Sequence, residues 1–225
     1  MDLTKNLAYD RMTKAILSEV LTENSNAIDI GCHKGEILSI FLNNAPKGEH
    51  IAFEPIPVFF EGLKYKFQDI KNVTFYPYAL SDKNTITSFQ FVKNAPAYSG
   101  LKKRNYATNT PDIETINVDV KQLDDVVSTD YKVDLIKIDV EGGEFDVLKG
   151  GRRILATNKP ILIFEFGLGA SDFYDATPEG LFDFLVEYSY EVYTLKGFLK
   201  KEKSLSKEKL SQLYNDKLEY YFIAR

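Results

Sequence analysis

The sequence predicts a three-layer α/β fold built on a doubly wound, mostly parallel sheet, with an antiparallel strand pair at its C-terminal end. Short apolar runs alternate with helical stripes from Ala27 to about Leu185. The run 133–139 (VDLIKID) is apolar on both faces for most of its length, as buried parallel strands are. The first strand passes through a turn holding Gly31 and Gly35 directly into a helical stripe. With 225 residues and 44% hydrophobic content, the chain is expected to form one globular domain over 1–225.

Residues 1–25 read as an N-terminal helical extension, a lid or a packing helix. Met12, Ile16 and Val20 recur at i, i+4, i+8 with Leu17 and Leu21 alongside. Strand 27–30 leads to a helix carrying Ile37, Leu38, Phe41 and Leu42. Strand 50–54 is ended by Pro55, and Pro57 suits the first turn of a helix with Phe59, Leu63 and Phe67 on one stripe. Residues 72–79 read as a third strand, and 85–92 alternate as a β segment with one covered face. From 93 to 115 the pattern dissolves over a length too great for a simple connection, which predicts a functional loop that covers a substrate.

Residues 116–120 alternate again and suit pairing with the earlier β segment, and 123–127 suit a short helix. After strand 133–139, a helix begins at Glu144 and ends at Gly150-Gly151. Strand 160–165 follows, and then a helix with Thr177 as N-cap, Pro178 and Glu179 in its first turn, and Leu181, Phe182 and Leu185 inside. Residues 191–195 and 218–224 supply the terminal antiparallel pair. The stretch 196–217 between them holds seven lysines against three acids (7 − 3 = +4) and reads as solvated surface.

The net charge is −5, from 28 basic and 33 acidic residues, so no global field favours a polyanion and nucleic acid is not an expected partner. Cys32 is the only cysteine, which rules out an internal disulfide and leaves too few thiolates for a zinc or iron–sulfur site. Charges throughout the first 21 residues leave no run for a signal peptide or membrane span, and the expected location is the cytoplasm.

Ligands of open parallel sheets bind outside the carboxyl ends of the strands. Asp29, Glu54, Asp139 and Glu165 are predicted to stand there. The Asp29-x-Gly31-x-x-x-Gly35 turn lets backbone approach a ligand, because glycine has no Cβ. A dinucleotide would want a third glycine, whereas His33 and Glu36 occupy the turn, and Glu36 sets negative charge where a pyrophosphate would lie. An acidic residue at the start of the turn suits a ligand bearing an ammonium, as the methionine end of S-adenosylmethionine does. Glu54 lies 19 positions after Gly35 (54 − 35), where a second-strand acid accepts from a ribose diol. Ala79, Leu80 and Ser81 follow the third strand, where adenine would be met.

The densest cluster is Asp139, Glu141 and Glu144, and for Glu144 an acid opposite the helix dipole is the favoured role. Like charges raise a carboxyl's proton affinity, so Asp139 or Glu141 is expected to act as general base toward a hydroxyl, with Glu165 the competing candidate. No metal is assigned.

With these pieces in hand, the chain resembles the FkbM family of S-adenosylmethionine-dependent methyltransferases. Asp29-Ile30-Gly31 with Gly35, Phe53-Glu54-Pro55, Ala79-Leu80-Ser81, Leu123-Asp124 and above all KIDVEGGEFDVLKG at 137–150 carry the resemblance. It implies a class I, Rossmann-like methyltransferase fold. It also implies that Asp29, Gly31, His33 and Gly35 lie near the methionine moiety, Glu54 and Pro55 at the ribose, and 139–141 along the active site. Family members O-methylate sugars and secondary metabolites, so the expected activity is methylation of a hydroxyl on a sugar, a polysaccharide precursor or a secondary metabolite. The alternative is a module or partner subunit that binds S-adenosylmethionine without catalysis.

Lys93, Lys102, Lys103 and Arg104, with Tyr98, Ser99 and Tyr106, are expected to cover the acceptor and to meet a phosphate or carboxylate on it. A homo-oligomer is compatible with this composition. His33 reads as a turn residue and His50 as an exposed strand start, and no Gly-x-Ser-x-Gly elbow is present.

Overall fold

The computed structural model describes residues 4–102 and 110–225. Among them the strands are β1 (Ala27–Ile30), β2 (His50–Phe53), β3 (Val73–Tyr76), β4 (Tyr78–Leu80), β5 (Thr85–Val92), β6 (Ile113–Lys121), β7 (Leu135–Ile138), β8 (Ile161–Glu165), β9 (Val192–Thr194) and β10 (Tyr221–Ala224). The main sheet runs β3-β2-β1-β7-β8-β10-β9. Its first five strands are parallel, and β10 lies antiparallel to both β8 and β9.

Alternation along the strands divides the core in two. Ile28, Ile30, Ile136, Ile138, Leu162 and Phe164 face one layer. It contains α4 (Leu123–Val126), α5 (Glu144–Lys149), α6 (Arg152–Thr157), α7 (Pro178–Glu187) and α9 (Lys207–Asn215). Ala27, Leu135, Ile163 and Ile223 face the other. There lie α1 (Lys5–Val20), α2 (Glu36–Asn44), α3 (Pro57–Lys66) and α8 (Leu195–Leu199). The N-terminal helix is a packing helix: Tyr9, Thr13, Ile16 and Leu17 are buried, and it rests on α2 and α8.

Pro77 cannot donate to a ladder, and the run 72–79 is cut there into β3 and β4. β4 leaves the main sheet and joins a second one, β4-β6-β5, in which β5 and β6 pair antiparallel from Thr85↔Val120 to Val92↔Ile113. The pairing expected between these segments is present, and the stretch between them is correspondingly shorter than 93–115, since β6 begins at Ile113. Lys103, Arg104 and Tyr106 lie outside the described residues.

Three expectations need correction. His50 is buried: its Nδ1 accepts from Ala27 N at 3.3 Å, so Nε2 carries the proton and donates to Ala45 O at 3.0 Å. The stretch 196–217 is only partly solvated surface. Thr194 and Ser206 cap α8 and α9, and Leu210, Leu213 and Tyr214 bury one face of α9. A further helix, α6, follows the Gly150-Gly151 stop, because the Asp124 carboxylate accepts from Arg153 N at 2.6 Å and Ile154 N at 3.1 Å and so satisfies its first turn from a distant segment.

Replacing Asp124→Ala removes that remote cap and should cost about 1–2 kcal/mol. Urea denaturation measures it, and an unchanged midpoint refutes the assignment.

Candidate active site

Asp29 of β1 and Lys137 of β7 are register partners, and alternation turns both side chains toward the α1–α2 layer. The Lys137 ammonium donates to Asp139 Oδ2 at 3.1 Å, and the Tyr221 hydroxyl of β10 donates to the same oxygen. Tyr221 in turn sits opposite Glu165 of β8. A polar row thus crosses the C-terminal edge of an otherwise apolar sheet.

Burial sets the electrostatics of this row. It would push the Lys137 ammonium down, yet Asp139 and Asp29 overcome it and hold the pKa above its ordinary range. Burial likewise pushes Asp139 up, but Lys137 and the Tyr221 hydroxyl outweigh it and keep the carboxyl below its ordinary value. The expected rise in proton affinity at Asp139 is therefore reversed, because the Lys137 cation and the hydrogen bonds to the carboxylate outweigh burial. Asp29 goes the other way: desolvation raises it against the pull of Lys137. It is fully buried, and neither oxygen makes a hydrogen bond of ordinary geometry among the described residues.

Gly31 takes φ +80°, and a Cβ there would lie 1.9 Å from the Asp139 carbonyl oxygen. Its missing side chain lets two chain segments meet at the cavity that it also lines. The turn that follows is tied to β2: Gly31 N and Cys32 N donate to Phe53 O, and His33 N donates to Glu54 Oε2 at 2.8 Å. Ile56 N donates to Glu54 Oε1 at 2.9 Å. Burial nevertheless raises the Glu54 carboxyl to about 7. The His33 ring packs edge-on to Phe59 with Nε2 unpaired, and burial lowers its pKa.

After β7 the chain turns sharply through Glu141 (φ +63°) and Gly142 (φ +112°). Glu144 Oε1 accepts from Val140 N at 2.9 Å and Gly142 N at 3.1 Å. Its first duty is thus to fasten this turn, beyond the helix-dipole role expected for it. Burial raises its carboxyl to about 7. Tyr174 packs beside Gly142 and Gly143 and accepts from Lys102 N at 3.0 Å, which joins the 96–102 segment to the same corner.

These elements enclose a cavity of about 230 Å³. Asp29, Gly31, His33, Glu54, Pro55, Ala79, Leu80, Asp139 and Glu141 line it, as does Glu36. Asp29 and Glu54 therefore open onto one space. Three expected residues lie elsewhere. Gly35 caps α2 in the left-handed conformation with Phe67 against it. Ser81 is buried and its hydroxyl donates to Asp82. Glu165 faces a neighbouring cavity. Sequence reasoning missed Lys137, the cation at the centre; an isolated lysine in a run of Leu, Ile and Ile was the available signal. It also missed Phe89 and Tyr174, which line the cavity from distant segments and carried none.

The Methyltransferase FkbM domain model matches residues 29–192. The 2-O-methyltransferase NoeI of Sinorhizobium fredii (strain NBRC 101917 / NGR234) is 26% identical over 144 residues, 59% of this chain and 59% of that protein. Methyltransferase 1 of Beauveria bassiana (strain ARSEF 2860) is 26% identical over 146 residues, 57% of this chain and 59% of that protein. The matched part thus spans less than two thirds of either relative. Among solved structures, the methyltransferase FkbM of Methylobacillus flagellatus KT superposes with TM-score 0.57 at 15% identity, over 91% of this chain and 44% of that one. SMU.1697c of Streptococcus mutans, solved in complex with SAH, gives 0.51 at 12% identity, over 95% and 94%. At these identities the likeness is one of fold.

Two variants test the buried charges. Lys137→Met leaves Asp139 without its cation and should cost about 3–5 kcal/mol at pH 8. The loss should shrink toward pH 5, since the unpaired carboxyl then has a raised pKa and its protonated form is the stable one. A loss independent of pH contradicts the pairing. For Glu144 the folded pKa is raised from 4.5 to about 7, so its contribution is fully present below 4.5 and lost as pH rises through 7. Glu144→Gln should raise the melting temperature at pH 8 and leave it little changed at pH 5; equal shifts at both contradict the assignment.

Proposed function

Because the chain belongs to the Methyltransferase FkbM domain family, we propose that it is an S-adenosylmethionine-dependent O-methyltransferase acting on a hydroxyl of a sugar or a related metabolite. The observation that carries this reading is that Asp29 and Glu54, on neighbouring strands, open onto one cavity whose floor is the Lys137–Asp139 pair. Five acids line that cavity, Asp29, Glu36, Glu54, Asp139 and Glu141, against the single cation Lys137. Such a field attracts a cationic nucleoside and repels a pyrophosphate. The two unpaired oxygens of Asp29 suit an ammonium, and the Glu54 carboxylate suits a ribose diol. Ala79 and Leu80 give an apolar wall for a purine.

When bound, S-adenosylmethionine supplies a methyl group on a sulfonium, which departs as a neutral thioether once an acceptor oxygen takes the carbon. The chain's own work is alignment and proton removal. Asp139, held ionised by Lys137 and Tyr221, can accept a hydrogen bond from a hydroxyl without first losing a proton. Glu141 and Glu165 each bring one oxygen within 4.8 Å of it, and the three form the catalytic group. Tyr174 and the 96–102 segment exclude water from one side. The relative named as a 2-O-methyltransferase supports an oxygen as the methyl acceptor. A reducing, cytoplasmic setting agrees with one buried free thiol, Cys32. Among the described residues no helix is long and apolar enough to cross a membrane.

Calorimetric titration tests the cofactor assignment. S-adenosylmethionine should bind more tightly as pH rises from 6 to 8, because the ribose needs the ionised form of Glu54, whose pKa is about 7. Glu54→Gln should weaken binding by about tenfold at pH 8, the worth of one charge-assisted hydrogen bond, and abolish the pH step. Absence of binding by the wild-type chain refutes the reading.

A further inference from the structure

The N-terminal helix does more than pack. Its first two turns grip the segment that leads into β10, from the far end of the chain. The Lys5 ammonium donates to Leu218 O, 213 residues away, and stands 4.9 Å over the Tyr220 ring. The Tyr220 hydroxyl donates to Asn6 Oδ1. Tyr9 is buried; its hydroxyl donates to the Glu219 carboxylate and accepts from Tyr220 N at 3.3 Å. Its ring lies 4.7 Å from that of Tyr220 and 5.3 Å from that of Tyr221. Lys5, Asn6, Glu219 and Tyr220 form one wall of the neighbouring cavity, of about 380 Å³.

These contacts converge on the approach to one residue. Tyr221 opens β10 opposite Glu165, and its hydroxyl reaches Asp139 Oδ2, the oxygen that also accepts from Lys137 at 3.1 Å. With two donors on Oδ2, the other oxygen of Asp139 is the one left to meet a ligand in the first cavity, which Asp139 lines. Neither Tyr9 nor Tyr221 lines that cavity. Neither α1 nor β10 lies within 29–192, the part of the chain that matches the family model.

We propose that Tyr9 and Tyr221 are positioning residues, through which the first turns of α1 fix the orientation of Asp139 and leave one of its oxygens to the acceptor hydroxyl. The inference rests on the methyltransferase reading above and adds to the active site two elements from outside the matched domain. The lever is stiff. β10 is paired on both edges, by β8 and β9, and the Tyr9 ring closes over the side chain that leaves it. Asp139 needs such support. Like charges face it from Asp29 on β1 and from Glu141 and Glu144 after β7; Glu165 of β8 lies against it, and His33 faces it from the turn after β1. After the charge of Lys137, the Tyr221 hydroxyl is the strongest influence that holds the Asp139 carboxyl low against burial.

Carbon-13 NMR of the full chain labelled at the aspartate carboxyls tests the brace, with Asp139→Asn assigning the signal. In the wild type the Asp139 signal should keep its ionised position down to acid unfolding. In Tyr221→Phe its titration should begin higher by about one pH unit or more, because the ionised carboxylate has lost a donor. Tyr9→Phe keeps the ring but removes the hydroxyl that holds Glu219 and Tyr220, and should move the signal in the same direction. The double variant should titrate like Tyr221→Phe alone, since Tyr9 acts through Tyr221 and the two effects do not add. S-adenosylhomocysteine affinity, read by calorimetry, should stay within about twofold in both single variants, which also shows that they fold. An unchanged titration in either variant, additive shifts in the double variant, or loss of S-adenosylhomocysteine binding in both, the mark of a merely structural role, each overturns the proposal. The expected shifts in a wild type and variants that all ignore S-adenosylhomocysteine support the brace and defeat the methyltransferase reading instead.

Discussion

The Lys137 ammonium is buried between two carboxylates at the edge of an apolar sheet, and the site is organised around it. A lone charge there would be intolerable, and so would two unpaired acids. Asp139 satisfies the ammonium directly and is itself braced by the Tyr221 hydroxyl from β10. Asp29, one strand away, is held near the same cation, but burial outweighs that pull and raises its carboxyl. The arrangement gives one carboxylate fixed in its ionised form and another short of partners, within one space. Two identical side-chain types acquire different chemistry from their distance to a single cation.

Backbone geometry makes that space possible. The missing Cβ at Gly31 allows the exit of β1 to touch the Asp139 carbonyl, so the strand ends are drawn together rather than spread. On the other side Glu144 holds the Val140 and Gly142 amides and keeps the left-handed corner at Glu141 in place. Strain at that corner is offset by the bonds of a buried carboxylate to the backbone. Glu141 is thereby carried to the boundary where Asp139 and Glu165 meet.

The two cavities differ in charge: five acids and one lysine line the first, two acids and two lysines the second. The small β4-β6-β5 sheet and the Pro96–Tyr98 turn supply further walls of the first cavity.

By itself the sequence determined the parallel strands through Glu165, the pairing of 85–92 with a segment at 116–120, and the acids at the mouths of β1, β2 and β7, while α6 went unread. Those features are local: alternation, caps and strand-end residues are written in adjacent positions. It also held the signal for α9, Leu210, Leu213 and Tyr214 behind Ser206, which the lysines around them masked. Only the tertiary structure decided which acids share a cavity, why Asp139 is ionised while Glu54 is raised, and that Glu165 faces a different space. Those outcomes depend on distance and burial across strands more than a hundred residues apart, and on a lysine whose meaning appears only once Asp29 and Asp139 flank it.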